Sequence, residues 1–147
     1  MELFIHRLPK QRLLAISIGI CYLWFGVLKF FPGLSPADML AKETISMLTF
    51  GYLAPGISIV ILAVWEVLIG LALIFNLYIK QVVILTLVHM VCTFTPLLFF
   101  PELSFNEAPF TLTLIGQYIM KNLIIISALL MLYPSKALVL EANPQRS

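Results

Sequence analysis

Four ionisable residues lie inside the long apolar runs of this sequence: Lys29, Glu66, His89 and Lys121. A charged side chain at the centre of a bilayer costs about 2.5–3.5 kcal/mol on insertion scales, so it is retained where partners or water stabilise it. Proton relays and ligand sites in membranes are built from acids, imidazoles and amines of this kind. These residues are therefore the first candidates for function.

The apolar runs that carry these residues predict membrane-spanning helices. Apolar residues make up 61% of the chain and charged residues 11%, whereas soluble proteins have about 25% charged residues. Each run has close to the roughly 20 residues that a helix needs to cross ~30 Å of hydrocarbon. We predict an all-α integral membrane four-helix bundle, a single membrane domain over residues 1–147, with helices at about 13–31, 55–78, 82–100 and 112–133.

Lysines and arginines in the loops predict the orientation of these helices. The first apolar run lacks a small-x-small cleavage site, so we expect this helix to be retained and not removed as a signal peptide. One side of the membrane has only Lys42 outside the helices. The positive-inside rule then places both termini in the cytoplasm, and the basic residues are not arranged as a nucleic-acid site. The basic residues of the other side are Arg7, Lys10, Arg12, Lys80, Lys136 and Arg146.

The two outer loops have features beyond those of plain linkers. Ser35-Pro36-Ala37-Asp38 has the pattern of a helix start, with an N-cap, a first-turn proline and an acid three residues after the cap. We predict a short interfacial helix at about 36–49 in the first outer loop, lying on the membrane surface. Together with the proline-containing segment 101–111 it would close the outer mouth of the bundle. The alternative is that both are ordinary connectors.

A rise of 1.5 Å per residue estimates the depth of each ionisable residue. Glu66, His89 and Lys121 are expected roughly 14–17 Å below the outer ends of their helices, but Lys29 only ~3–5 Å. We therefore predict that Glu66 and Lys121 lie within direct or one-water reach of each other. Lys29 is expected either to extend to the outer interface or to reach inward.

Further polar residues recur at helical spacing. Gln117 and Lys121 are four residues apart on the fourth helix, as are Tyr118 and Asn122. Because such residues are costly against lipid, we expect them in the bundle interior. The candidate ligand-binding residues are Trp24, Lys29, Glu66, His89, Gln117, Tyr118, Lys121 and Asn122.

Two interpretations of this polar set remain open. The structural one is a buried Glu66–Lys121 ion pair that only fixes helix register. The functional one is a cavity for a quinone, lipid or other small amphipathic ligand, with Glu66 and His89 exchanging protons. The sequence has no His-x-x-x-His or Cys-x-x-Cys pattern, so no metal site is expected. Cys21 and Cys92 have the character of small buried hydrophobes, although a redox pair remains an alternative.

Three blocks of the sequence carry a family resemblance. Tyr22–Asp38, Trp65–Gly70 and Gly116–Leu123, the last with a Gly-Gln-Tyr-x-x-Lys-Asn motif, resemble the DoxX-like family of small four-helix bacterial membrane proteins. The resemblance implies a bundle in the cytoplasmic (inner) membrane. Some relatives are membrane subunits of a thiosulfate:quinone oxidoreductase or partners of redox and detoxification enzymes, and distant eukaryotic relatives are assembly factors. The motif positions that it implicates are Trp24, Lys29, Glu66, Gln117, Lys121 and Asn122.

From these features we expect an inner-membrane protein that binds a quinone or similar amphipathic ligand and serves as a membrane subunit of a redox system. Its expected partners are membrane lipids, with a redox enzyme and a second copy of the chain as candidates. A non-enzymatic scaffold or assembly factor is the alternative from another class. A small proton-coupled transporter is a third, which the lack of an evident inverted repeat disfavours.

Overall fold

The computed structural model describes residues 10–35, 38–107 and 110–133, which are mostly helical. Two short strands form an antiparallel hairpin between the last two helices. In chain order the elements are α1 (Lys10–Leu28), α2 (Asp38–Leu48), α3 (Pro55–Phe75), α4 (Ile79–Cys92), α5 (Pro96–Phe99), α6 (Pro101–Ser104), β1 (Phe105–Glu107), β2 (Thr111–Leu112) and α7 (Leu114–Leu132).

Four segments are long and apolar enough to cross a membrane: α1, α3, α4 continued by α5, and α7. The predicted all-α membrane bundle is therefore confirmed. Helix α2 lies where the first loop predicts a helix, although positions 36 and 37 of that prediction lie outside the described residues. Arg7, Lys136 and Arg146, three of the basic residues that predict the orientation, also lie outside the described residues.

Prolines end two helices earlier than the apolar runs predict. Proline cannot donate a backbone hydrogen bond, and its ring clashes with the carbonyl four residues earlier. Pro32 accordingly follows the end of α1 at Leu28, and Pro96 follows the break after α4. Pro96 has no N–H for the Cys92 carbonyl, which instead accepts from the Thr95 hydroxyl at 2.7 Å and from the Thr95 N–H at 3.2 Å.

Glycines allow α1 and α3 to pack closely in antiparallel orientation. A Cβ atom added at Gly70 would lie 2.7 Å from the Leu23 nitrogen and 2.8 Å from the Gly19 oxygen. Nearer the end of α1, a Cβ at Gly26 would lie 3.0 Å from the Cβ of Glu66. The end of α1 therefore lies beside the middle of α3, not beside its first residue.

Helix α2 and the hairpin lie at the same end of the bundle, which we call the hairpin end. Here α2 packs on α3 and contacts α5, while α6 packs against the start of α7. Helix α7 begins at Thr113, whose hydroxyl accepts from the Gly116 N–H at 3.1 Å and donates to the Leu103 carbonyl at 2.7 Å. Helices α4 and α1 pack against α7. The main core comprises Ala15, Ile18, Tyr22, Ile69, Leu73, Val82, Val83, Met90, Leu129 and Leu132.

Candidate functional site

An ion pair joins the end of α1 to the middle of α3. The Lys29 amine donates to the Glu66 carboxylate, with Nζ and Oε2 2.5 Å apart. The two side chains are only 8% and 10% exposed, so the pair is largely shielded from its surroundings. The same amine lies 3.4 Å from the carbonyl oxygen of Phe25, one of the last carbonyls of α1. Lys29 thus neutralises the charge of Glu66 and also donates to a carbonyl at the end of α1.

His89 extends this pair to a third helix. Its Nε2 atom lies 3.8 Å from Glu66 Oε1, and its Nδ1 atom lies 3.2 Å from the Tyr22 hydroxyl oxygen. The Tyr22 and His89 rings meet edge to face, with centroids 5.6 Å apart. Lys29, Glu66, His89 and Tyr22 therefore form a continuous set of polar contacts, which we call the polar cluster.

The helix packing explains why these four side chains meet. Gly26 has no side chain, and a Cβ atom there would lie only 3.0 Å from the Cβ of Glu66, so α3 can approach α1 closely just before Lys29. Tyr22 lies seven residues before Lys29, two helical turns away and therefore on the same face of α1. His89 occupies the last turn of α4, just before the break at Thr93. The polar cluster thus lies where α1 and α4 both end.

The polar cluster has the chemistry of a proton-exchange site. Carboxylate, imidazole and phenol groups can each accept or donate a proton, and here they are neighbours in an apolar bundle. The 3.8 Å separation between Glu66 and His89 is longer than a hydrogen bond, so a bridging water or a small side-chain movement would complete the contact. With Lys29 and Glu66 both charged, the cluster is neutral overall when His89 is neutral.

A second polar contact lies at Thr93, about one turn after His89. The Asn122 amide of α7 donates to the Thr93 hydroxyl at 2.9 Å, and that hydroxyl donates to the Met90 carbonyl at 2.6 Å. This contact joins α7 to α4 where α4 ends. Asn122 therefore has a structural role in helix packing, beside the polar cluster.

The predicted pair between Glu66 and Lys121 is wrong. Glu66 is paired with Lys29, whereas Lys121 is exposed and its amine lies 5.0 Å from the centroid of the Tyr118 ring. The depth estimate failed because it assumed that all four helices begin at one level. The close packing of α1 and α3 brings Lys29, not Lys121, to the depth of Glu66.

Half of the predicted site residues lie outside the bundle interior. Trp24 is 66% exposed and Tyr118 is 56% exposed, and Gln117 and Lys121 are exposed as well. Trp24 lies on the opposite face of α1 from Tyr22. Tyr22 belongs to the polar cluster but not to the predicted set of site residues. The spacing of Tyr22, two helical turns before Lys29, is the signal that could have identified Tyr22. The predicted residues that are packed inside are Lys29, Glu66, His89 and Asn122.

Cys21 and Cys92 are both free in the structure. Cys21 is exposed, so the expectation that it is a small buried hydrophobe is wrong, whereas Cys92 is partly buried. Among residues 10–35, 38–107 and 110–133, no group of three or more histidine, cysteine, aspartate and glutamate side chains is arranged to hold a metal ion.

An open groove of about 460 Å³ lies at the hairpin end. Its walls combine apolar side chains with a few polar ones, the pattern typical of sites for amphipathic molecules. From Pro55 at its edge, Glu66 is eleven residues along α3, or about 16 Å. The groove is lined by Met39, Lys42, Glu43, Ser46, Met47, Pro55 and Phe100.

The fold and the site define a helical membrane protein with a polar cluster inside its bundle. Comparison of the chain with protein-family models, curated proteins and solved structures finds no match. The resemblance to the DoxX-like family therefore stays a prediction from the sequence.

Proposed function

We propose that this protein is a DoxX-like membrane subunit of a redox system that binds a quinone or a similar amphipathic molecule. The observation that carries the proposal is the contact of carboxylate, imidazole and phenol groups in the polar cluster. Reduction of a quinone to a quinol consumes two electrons and two protons. The protein would supply the protons through Glu66 and His89, and a redox enzyme bound to it would supply the electrons.

The groove at the hairpin end supports a route for such a ligand. A quinone has a polar ring and an apolar tail, and the groove offers mostly apolar walls under α2. The ligand would enter there and direct its ring along α3 towards Glu66. The Lys29 amine would then donate to a ring oxygen in place of its bond to the Phe25 carbonyl.

Binding of a short-tailed quinone analogue to the full chain in detergent tests the proposal. Substitution Glu66→Gln removes the charge but keeps the shape, and His89→Gln removes the imidazole. Glu66→Gln is expected to weaken binding about tenfold or more, because a hydrogen bond to a charged group contributes about 1.5–3 kcal/mol. His89→Gln is expected to weaken it roughly twofold to tenfold, because a hydrogen bond of a neutral imidazole contributes about 0.5–1.5 kcal/mol. The matched control is Gln117→Leu, which changes an exposed polar residue of α7. Saturable binding that is equal in all variants would contradict the proposal.

A non-enzymatic scaffold is the second candidate. It is favoured by the complete pairing of buried groups: within the part of the chain that the structure describes, every buried side-chain nitrogen and oxygen has a hydrogen-bond partner. On this interpretation the Lys29–Glu66 pair only holds α1 against α3. A folded protein that binds no quinone or lipid analogue, but whose helices separate when the pair is broken, would support the scaffold.

We further propose that the bundle lies in a bacterial cytoplasmic membrane with its hairpin end outside. Lys10, Arg12 and Lys80 lie at the opposite end of the bundle, whereas in the described residues Lys42 is the one basic residue outside the spanning helices and the polar cluster at the hairpin end. This asymmetry agrees with the excess of basic residues that marks cytoplasmic loops.

A further inference from the structure

An exposed polar patch on α7 is separate from the polar cluster. Gln117, Tyr118 and Lys121 lie within five residues on the surface of a helix that is long and apolar enough to cross a membrane. Lys121 is seven residues from the first residue of α7, or about 10 Å along the helix axis. In a bilayer this patch therefore lies in the half of the membrane nearer the hairpin end.

The lysine side chain points towards that end of the helix. Its amine lies over the Tyr118 ring, and Tyr118 is one turn closer to the start of α7. Side chains on a helix tilt towards its N-terminus, and a lysine stem lets the amine approach the membrane surface while its methylenes stay in the hydrocarbon. The Lys121 amine is thus directed towards the lipid headgroups of that leaflet.

The charge of this amine has no acidic partner in the described residues. The salt bridges found there join Lys29 to Glu66, Lys42 to Asp38, and His89 to Glu66. The cation–π contact with Tyr118 contributes only about 0.5–1 kcal/mol at an exposed site, much less than a charge in hydrocarbon costs. An anion supplied from outside the chain would stabilise it.

We propose that Lys121, Tyr118 and Gln117 bind the phosphate group of an anionic phospholipid in the leaflet at the hairpin end. The Lys121 amine pairs with a phosphate oxygen, and the Tyr118 hydroxyl and Gln117 amide donate to neighbouring oxygens. The exposed side chains of Leu114 and Ile124 on the same helix contact the acyl chains. This site does not depend on the proposed quinone function.

A lipid fits this patch better than a second copy of the chain. Helix α7 contains no acidic residue. A two-fold contact between identical α7 faces would therefore bring two Lys121 amines together without a carboxylate between them, which is unfavourable in a medium of low dielectric. A phospholipid supplies both the missing negative charge and the apolar surface that the rest of α7 requires.

Native mass spectrometry of the full chain in detergent tests the proposal, with phosphatidylglycerol and phosphatidylcholine of matched acyl chains as probes. The wild-type protein is expected to bind phosphatidylglycerol more tightly. Lys121→Met should weaken that binding about fivefold, the effect of one basic residue at an anionic surface, whereas Lys121→Arg should retain it. The matched control is Lys80→Met, which removes an exposed lysine whose amine lies 6.0 Å from the centroid of the Tyr133 ring at the opposite end of the bundle.

Three results would overturn the proposal. The first is equal phosphatidylglycerol binding by Lys121→Met and wild type, both with unchanged helical circular dichroism. The second is a wild-type dimer that Lys121→Met dissociates, which would make the patch a protein contact. The third is displacement of the lipid by millimolar inorganic phosphate, which would make free phosphate the ligand. If Lys121→Met does not fold, the Gln117→Leu, Tyr118→Phe variant serves instead, and an unchanged preference for phosphatidylglycerol there contradicts the proposal.

Discussion

Lys29 and Glu66 form a 2.5 Å ion pair across 37 residues of sequence, at a depth where α1 has ended and α3 is only half complete. The pair is possible because α1 and α3 are offset along their axes by their glycine contacts. It places a cation, an acid and the neighbouring His89 together inside a mostly apolar bundle. The offset of two helices therefore determines the chemistry of the site.

Breaking the Lys29–Glu66 pair is expected to destabilise the protein strongly. Removal of one partner of a buried pair leaves the other charge unpaired and costs about 3–5 kcal/mol. Lys29→Met and Glu66→Gln should each lower the melting temperature in detergent, and the double variant should lose much less than their sum. A cycle of Lys121→Met with Glu66→Gln is the control and should be additive. Additive losses in the first cycle would show that Lys29 and Glu66 do not interact.

Gly70 provides a test of the close packing between α1 and α3. Gly70→Ala places a Cβ atom 2.7 Å from the Leu23 nitrogen, so the helices must separate. Overpacking of this kind typically costs about 1–3 kcal/mol. Gly56→Ala, on the same helix, meets nothing within 4 Å and should cause no loss. Thermal unfolding of both variants in one detergent measures the difference, and equal melting temperatures would argue against the packing described here.

Arg12 is expected to stabilise the far end of α3. Its guanidinium donates to the Ile74 carbonyl at 2.6 Å, one of the last carbonyls of α3, which lack partners within the helix. A hydrogen bond to a charged group contributes about 1.5–3 kcal/mol, so Arg12→Met should lower the free energy of unfolding by about that amount. Lys10→Met removes the same charge from an exposed position and should have a much smaller effect. Equal losses of unfolding free energy in Arg12→Met and Lys10→Met would show that the effect comes from net charge and not from the hydrogen bond to Ile74.

The positions of the spanning helices could be predicted from the sequence, but their relative offset and the faces that they bury could not. Apolar run length identified the four spans, because hydrocarbon thickness sets that length. The backbone of Lys29 was placed too shallow, since the helix offset depends on contacts between Gly19, Gly26 and Gly70 that run length does not encode. Of the two alternatives for its side chain, the inward one is found. Lys121 was placed inside because a charge is costly against lipid. That placement was wrong, and because α7 is apolar around most of its circumference, its sequence indicates no single buried face. Asn122, next to Lys121 in sequence, is the residue that packs inward.

Thiol labelling in intact cells tests the orientation. With Cys21 and Cys92 replaced by serine, Asn106→Cys in strand β1 is expected to react with an impermeant thiol reagent from outside. A reporter fused after Ser147 should be active in the cytoplasm, as the excess of basic residues at the opposite end of the bundle predicts. The reverse pattern would exchange the two ends and move the proposed phospholipid site to the other leaflet.

Substitution of Tyr22 and of Tyr118 distinguishes a quinone site at the polar cluster from one on the exposed surface of α7. Tyr22→Phe keeps the ring but removes the hydroxyl 3.2 Å from His89 Nδ1, so the imidazole loses the contact that orients it. A neutral hydrogen bond contributes about 0.5–1.5 kcal/mol, which corresponds to roughly twofold to tenfold weaker binding of a quinone analogue. Tyr118→Phe makes the same chemical change outside the cluster and should leave quinone affinity unchanged. Titration of tryptophan fluorescence with the analogue measures both affinities. Equal affinities in the two variants would remove Tyr22 from the binding site, and a larger loss in Tyr118→Phe would move the site to the exposed face of α7.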